Sequence, residues 1–275
     1  MLDSHQSILA DIDAAMLLIE EEDYANALPL LARVVAFGVP EVAVPAYHLW
    51  VRCHLRLERT ERALQLAEEG LARGILPFEL QLIRAEALGT LERYDEGIAA
   101  AEAAHELDPD SPEPILILAD MEVDRGRPEA ALQLLQDALR RYPDEEEIHF
   151  ALVMVADELG RPELVIQSAR DYLRKFGKAD DVLAMLGYAY LGTGDLRRAD
   201  RAFRDAAQLE PDDVELHVRV LGLAVAMKND AGYDAYLERL RQRDPELAEL
   251  AARGVGELLT PGPGRPGGRG GPRRH

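Results

Sequence analysis

The stretch DDVLAMLGYAYLGTGDLRRADRAFRDAAQLEPDD, residues 180–213, decides the fold. Leu183, Leu186, Gly187 and Tyr190 recur at helical spacing and Gly194 breaks the run. Ala199, Phe203 and Ala206 then resume the spacing until Pro211 stops it. The pattern predicts two helices folded back on each other. Gly187 and Ala199 are small enough to let the two backbones approach, and Tyr190 and Phe203 fill the space beside that contact.

The punctuation recurs on either side. Arg125-Gly126-Arg127, Leu159-Gly160-Arg161 and Thr193-Gly194-Asp195 set their glycines 34 residues apart. Pro109, Pro143 and Pro211 fall in the same frame, with Gly177 at its remaining place. Extended both ways, the frame gives units 44–77, 78–111, 112–145, 146–179, 180–213 and 214–247, and an earlier unit, 8–41, offset by Val42 and Ala43. A fixed step of this length is the mark of a stacked helix-hairpin repeat. Tyr172 and Tyr233 stand where other units carry small residues, and Lys228 stands where others carry Gly, so units 146–179 and 214–247 are expected to open or shift.

Asp244 reads as an N-cap and Pro245 as a first helical residue. Leu247, Leu250, Ala251, Val255, Leu258 and Leu259 then form one apolar stripe, so 245–259 is expected to be a capping helix over the last hairpin. Residues 260–275 hold Gly, Pro, Arg and a final His, too few apolar side chains to fold, and are expected to be a disordered tail.

Composition agrees with an all-α chain. Aromatics are only 5% and charged residues reach 30%, which suits helices packed through small side chains better than a sheet. The net charge of -20 disfavours nucleic acid and anionic membranes as partners of the body. Cys53 is the only cysteine, which excludes an internal disulfide and a cysteine zinc cage. The first twenty residues carry Asp3, Asp11, Asp13 and Glu20 without a basic segment, and no apolar run approaches the ~18 residues of a spanning helix. The expected location is cytoplasmic.

The 34-residue step, with small residues at the eighth and twentieth places and Pro at the thirty-second, resembles the tetratricopeptide repeat over about residues 8–247. Unit 180–213 matches it best; 112–145 follows through Leu118, Ala119, Gly126, Ala131, Leu135, Ala138 and Pro143. The resemblance implies an α-α superhelix of seven helix hairpins plus the capping helix. It also implies that the first helix of each hairpin lines a groove for a peptide. The matching places and their neighbours are His48, Arg52 and Arg56, then Leu82 and Glu86, then Leu116, Asp120 and Asp124, then Phe150, Met154 and Asp157, then Ala184 and Tyr188. That groove would be basic at its start, acidic and aliphatic in the middle, and aromatic towards its end. Family members that clamp acidic chaperone tails use Lys and Asn on successive first helices. Here no Lys precedes Lys175, so that clamp is not expected.

Little in the chain points to catalysis. His48, Cys53 and His54 lie close in sequence, but the helical frame sends His48 and His54 in different directions. The carboxylate runs at Glu20–Glu22 and Asp144–Glu147 suit helix ends, and no Gly-centred loop accompanies them. No enzyme activity, cofactor or metal is expected. The expected function is a scaffold or adaptor that binds a protein or peptide partner carrying basic and apolar residues. A regulatory subunit of an enzyme encoded elsewhere is an alternative. Another is weak RNA association through Arg265, Arg269, Arg273 and Arg274. The tail could also compete with ligands for the groove near Asp157, Asp181 and Tyr188.

Overall fold

The computed structural model describes the backbone of residues 2–38 and 40–259 and the side chains of 7–38, 40–41 and 43–256. The expected disordered tail, 260–275, lies outside the described residues. Among those described there are helices and no strand. They are α1 (Leu2–Glu20), α2 (Tyr24–Phe37), α3 (Pro40–Arg56), α4 (Thr60–Ala72), α5 (Pro77–Thr90), α6 (Tyr94–Leu107), α7 (Glu113–Asp124) and α8 (Pro128–Arg141). They continue with α9 (Glu146–Glu158), α10 (Pro162–Phe176), α11 (Asp180–Gly192), α12 (Leu196–Leu209), α13 (Val214–Ala226), α14 (Asp230–Arg243) and α15 (Pro245–Leu259).

One backbone device closes the turn after every odd-numbered helix from α1 to α13. At Gly194 the chain enters the left-handed region, with φ 78°. Its N–H donates to the Leu191 carbonyl at 3.0 Å, and the Asp195 N–H donates to the Tyr190 carbonyl at 2.9 Å. This is the Schellman closure of a helix end. Gly126 and Gly160 repeat it, and so do Glu22, Glu58, Glu92 and Lys228, all at positive φ and with the same two bonds. From Glu58 to Lys228 these residues succeed one another every 34 places. The glycines adopt this conformation freely, whereas the glutamates and Lys228 bear a cost of ~1 kcal/mol each.

Two compact units divide the described residues, one ending at Pro143 and one beginning at Asp144. In the first, each helix packs on its neighbour in sequence, and α1, α3, α5 and α7 also pack one on the next. Gly70 of α4 shows why small residues are needed: a Cβ there would lie 2.7 Å from the Tyr47 ring and 2.5 Å from Leu80 Cδ1. Tyr47 cannot retreat easily, because it is buried and its hydroxyl donates to the Leu66 carbonyl at 2.7 Å. At Gly97 of α6 the vacant volume is taken by Met121, whose sulfur would stand 2.9 Å from an added Cβ.

In the second unit the seam of α11 and α12 is tightest at Gly187, where a Cβ would meet the fully buried ring of Phe203 at 2.8 Å. Tyr172 does not open its hairpin as expected. It is buried, its hydroxyl bonds to Glu146, and its ring leans on Phe176 at 5.2 Å, so α9 and α10 stay packed around it. The hairpin with Lys228 and Tyr233 does loosen, since α13 packs more extensively on α15 than on its own partner α14. Helix α15 supplies Leu247, Ala248, Ala251 and Val255 to a core shared with Leu221, Leu237 and Leu240. It covers the apolar face that the last hairpin would leave in water.

Ion pairs repeat as well. Arg141 meets Asp110 at 2.9 Å, Lys175 meets Asp144 at 2.8 Å and Arg243 meets Asp212 at 2.6 Å, in each case across 31 residues. Each ties the end of one hairpin to the connection before it.

Candidate functional site

The odd-numbered helices carry the residues that the sequence singled out, and each unit presents its own set. In the first unit α3 carries His48, Arg52 and Arg56, α5 carries Glu86, and α7 carries Leu116 and Asp120. His48 is half-buried rather than exposed; burial and the neighbouring charge of Arg52 lower its pKa against an opposing pull from Glu79. Arg52 and Arg56 are exposed, and neither makes an ion pair within 4 Å among the described residues. Their field nevertheless reaches Glu86. That carboxyl is half-buried, and its pKa is raised by burial first, lowered by Arg52 and Arg56, and raised again by Glu113 and Asp120. The structure thus brings Arg52, Arg56, Glu86 and Asp120 into one electrostatic group spanning three helices. Leu116 is half-buried, and Leu82 is buried in α5 rather than lining this face.

In the second unit Phe150 and Met154 of α9 are half-buried and lean on the core built around Phe203, as does Ala184 of α11. Phe150 meets the edge of Tyr172 at 6.2 Å. Tyr188 of α11 remains 38% exposed. Its ring stands edge-on to Phe203 at 5.0 Å, and its hydroxyl donates to a Glu215 carboxylate oxygen at 2.7 Å. Arg219 lies over the same ring at 5.1 Å and pairs with Glu215 at 2.9 Å. Burial and the Glu215 bond push the Tyr188 phenol up to about 12, while the Tyr188 and Arg219 bonds hold Glu215 below its ordinary range. The three side chains form a closed clasp between α11 and α13. Sequence reasoning missed Glu215 and Arg219. Their signal was a Glu–Arg pair four residues apart on α13, a helix otherwise apolar apart from His217.

Nucleophilic chemistry has no support at Cys53. The thiol is buried, and burial pushes it up to about 11, so it stays protonated at neutral pH. His54 stands edge-on to Trp50 at 5.8 Å, its pKa lowered by burial and then by Arg59 and Arg62. No group of three or more His, Cys, Asp or Glu among the described residues could hold a metal ion. Among them, too, no helix is long and apolar enough to cross a membrane.

Three family models described as tetratricopeptide repeat match the chain, over residues 48–112, 90–155 and 180–213. No curated protein matches it. Its fold is similar to that of a solved tetratricopeptide repeat protein from Parabacteroides merdae, with TM-score 0.57 and 12% identity over 90% of this chain and 99% of that one. It is similar also to PilF of Pseudomonas aeruginosa, with TM-score 0.58 and 16% identity over 78% of this chain and 96% of that one. A third likeness, to MamA of Desulfovibrio magneticus RS-1, has TM-score 0.51 and 14% identity over 62% and 97% of the two chains. With repeat models matching in both units and repeat proteins among its structural neighbours, the chain belongs to the tetratricopeptide repeat family.

Proposed function

We propose that this chain is a scaffold or adaptor whose odd-numbered helices hold a peptide segment of a partner protein. Repeats of this family commonly mediate protein–protein interaction. The observation that carries the reading here is the pair Arg52 and Arg56, exposed and without an ion pair among the described residues, beside the half-buried carboxyl of Glu86. Charges held near one another but not joined can each take an opposite charge from a ligand without first breaking an internal bond. Around them His48, Leu116 and Asp120 complete the contact surface of the first unit. In the second unit Phe150, Met154 and Tyr188 offer ring and thioether surface. A segment with basic and apolar side chains suits Glu86, Asp120 and the aromatic positions. The repeat units are taken as 8–41, 44–77, 78–111, 112–145, 146–179, 180–213 and 214–247, and recognition rather than catalysis is the proposed mechanism, in the cytoplasm.

Comparative affinity capture tests this. Full-length protein, an Arg52→Glu/Tyr188→Ala variant and a Glu102→Arg control on α6 are immobilised, and proteins retained from the source organism are identified by mass spectrometry. A partner retained by the wild type and the control and lost by the double variant is the expected result, provided circular dichroism shows the variant folded. Identical retention by all three would contradict the proposed face.

A further inference from the structure

The even-numbered helices of the second unit hold a feature of a different kind. Between α10 and α12 lies an open cleft of about 310 Å³ whose floor is Leu183 and Leu186 of α11. Arg170 enters it from α10, and Arg198 and Arg201 enter from α12. In a chain with 51 acidic and 31 basic side chains, most exposed guanidiniums should find a carboxylate. Of the nearby carboxylates Asp205 also lines the cleft, but each is engaged by another cation. Asp171 pairs with Arg174 at 2.8 Å, Asp200 with Arg204 at 2.9 Å and Asp205 with Lys178 at 3.1 Å. Arg170 and Arg201 are exposed and have no carboxylate within 4 Å among the described residues. Arg198 reaches Asp195 only at 3.4 Å and stands over the Tyr190 ring at 5.7 Å.

We propose that this cleft docks a short acidic segment of a partner protein, its carboxylates on Arg170 and Arg201 and an aliphatic side chain on Leu183 and Leu186. The planar fork of a guanidinium matches a carboxylate through two parallel bonds, and the aliphatic floor rewards an apolar residue between the acids. The net charge of -20 does not prevent this, because charges beyond about 8 Å are largely screened at physiological salt. A short peptide therefore responds to the cleft. A long polyanion such as RNA could pair with these arginines but finds no use for the aliphatic floor, and the oligonucleotide arm of the test separates it from the peptide. Its floor belongs to α11, but it shares no residue with the proposed peptide face, of which α11 carries Ala184 and Tyr188, so either proposal can fail without the other.

The test is fluorescence anisotropy with full-length protein and a labelled hexapeptide, Glu-Leu-Asp-Glu-Leu-Asp. Its amide counterpart, a form with Ser in place of Leu, and a labelled single-stranded oligonucleotide are compared with it. The acidic–aliphatic peptide should bind. Its affinity should fall by about tenfold or more in Arg170→Gln/Arg201→Gln, whose side chains are exposed and make no bond that the fold needs. It should be unchanged in Arg253→Gln on α15, and the amide and Ser peptides should bind more weakly than the parent. Equal affinity of the double variant, no binding of the parent peptide, preferential binding of the oligonucleotide, or self-association abolished by the same double substitution would each overturn the proposal.

Discussion

On the odd-numbered helices of the first unit, charge acts across space. Arg52 and Arg56 influence Glu86 without an ion pair of their own among the described residues. On those of the second unit, charge is fastened. Tyr188, Glu215 and Arg219 hold one another through a 2.7 Å hydrogen bond, a 2.9 Å ion pair and a ring contact at 5.1 Å, with the buried Nε of Arg219 left without a hydrogen-bond partner among the described residues. The same backbone scheme therefore carries two kinds of surface. A ligand at the first face gains ion pairs that the free protein lacks. At the second it gains mainly ring area, because the Tyr188 hydroxyl and the Glu215–Arg219 charges are already paired with one another. The repeat fixes the path of the backbone through its seams and turns, and leaves the outward positions free to differ.

The largest expected effect lies in a seam. Gly187→Leu should destabilise the second unit by ~1–3 kcal/mol or more, because the added side chain must displace the Phe203 ring, which would stand 2.8 Å from the first added carbon. Gly222 of α13 has nothing within 4 Å of an added Cβ, so Gly222→Ala should stabilise by up to ~1 kcal/mol through helix propensity. Urea titration reads both changes, and a neutral Gly187→Leu would mean that the seam is looser than described.

Next come the tyrosine hydroxyls. Tyr47→Phe removes a buried bond to the Leu66 carbonyl and should cost ~1 kcal/mol. Tyr188→Phe removes a bond at an exposed ring and should cost no more than ~0.5 kcal/mol. The reverse order in urea midpoints would undo the contrast between a structural tyrosine in the first unit and a surface clasp in the second.

Acid response separates the two faces by sign. Burial raises the Glu86 pKa above its ordinary 4.5, so the folded chain keeps a proton that the unfolded chain has already lost. Stability therefore falls as pH climbs from 4.5 through the raised value, and Glu86→Gln removes that fall. Glu215 is held below 4.5 by Tyr188 and then Arg219. Its contribution is present above 4.5 and is lost as pH drops through the lowered value; at an exposed site it amounts to under ~1 kcal/mol. Going from acid to neutral pH, Glu86→Gln should gain stability relative to the wild type and Glu215→Gln should lose it. Parallel pH profiles for the two variants would remove the distinction.

These contrasts also show what the residues alone disclosed. Gly126, Gly160 and Gly194 announced the turn because glycine favours positive φ, and Gly187 beside Phe203 announced the seam. Glu58, Glu92 and Lys228 take the same left-handed turn without any sign in their residue type, since the surrounding helices impose it. Tyr172 looked too large for its hairpin, yet its hydroxyl finds Glu146 and its ring finds Phe176, contacts that depend on the direction of α10 relative to α9. Helical spacing placed His48, Arg52, Glu86, Asp120 and Tyr188 on the odd-numbered helices. It did not tell that Phe150 and Met154 turn partly into the core, nor that Tyr188 reaches Glu215, 27 residues on. Those outcomes rest on rotamers and on the offset between α11 and α13.

The central claim is that a partner lies along the odd-numbered helices. Hydrogen–deuterium exchange of the full-length chain, alone and saturated with a partner recovered by capture, tests it most directly. Slowed exchange confined to α3, α5 and α7 in the first unit and to α9, α11 and α13 in the second is the expected result. Slowed exchange confined to α4, α6 and α8, with the odd-numbered helices unchanged, would contradict it.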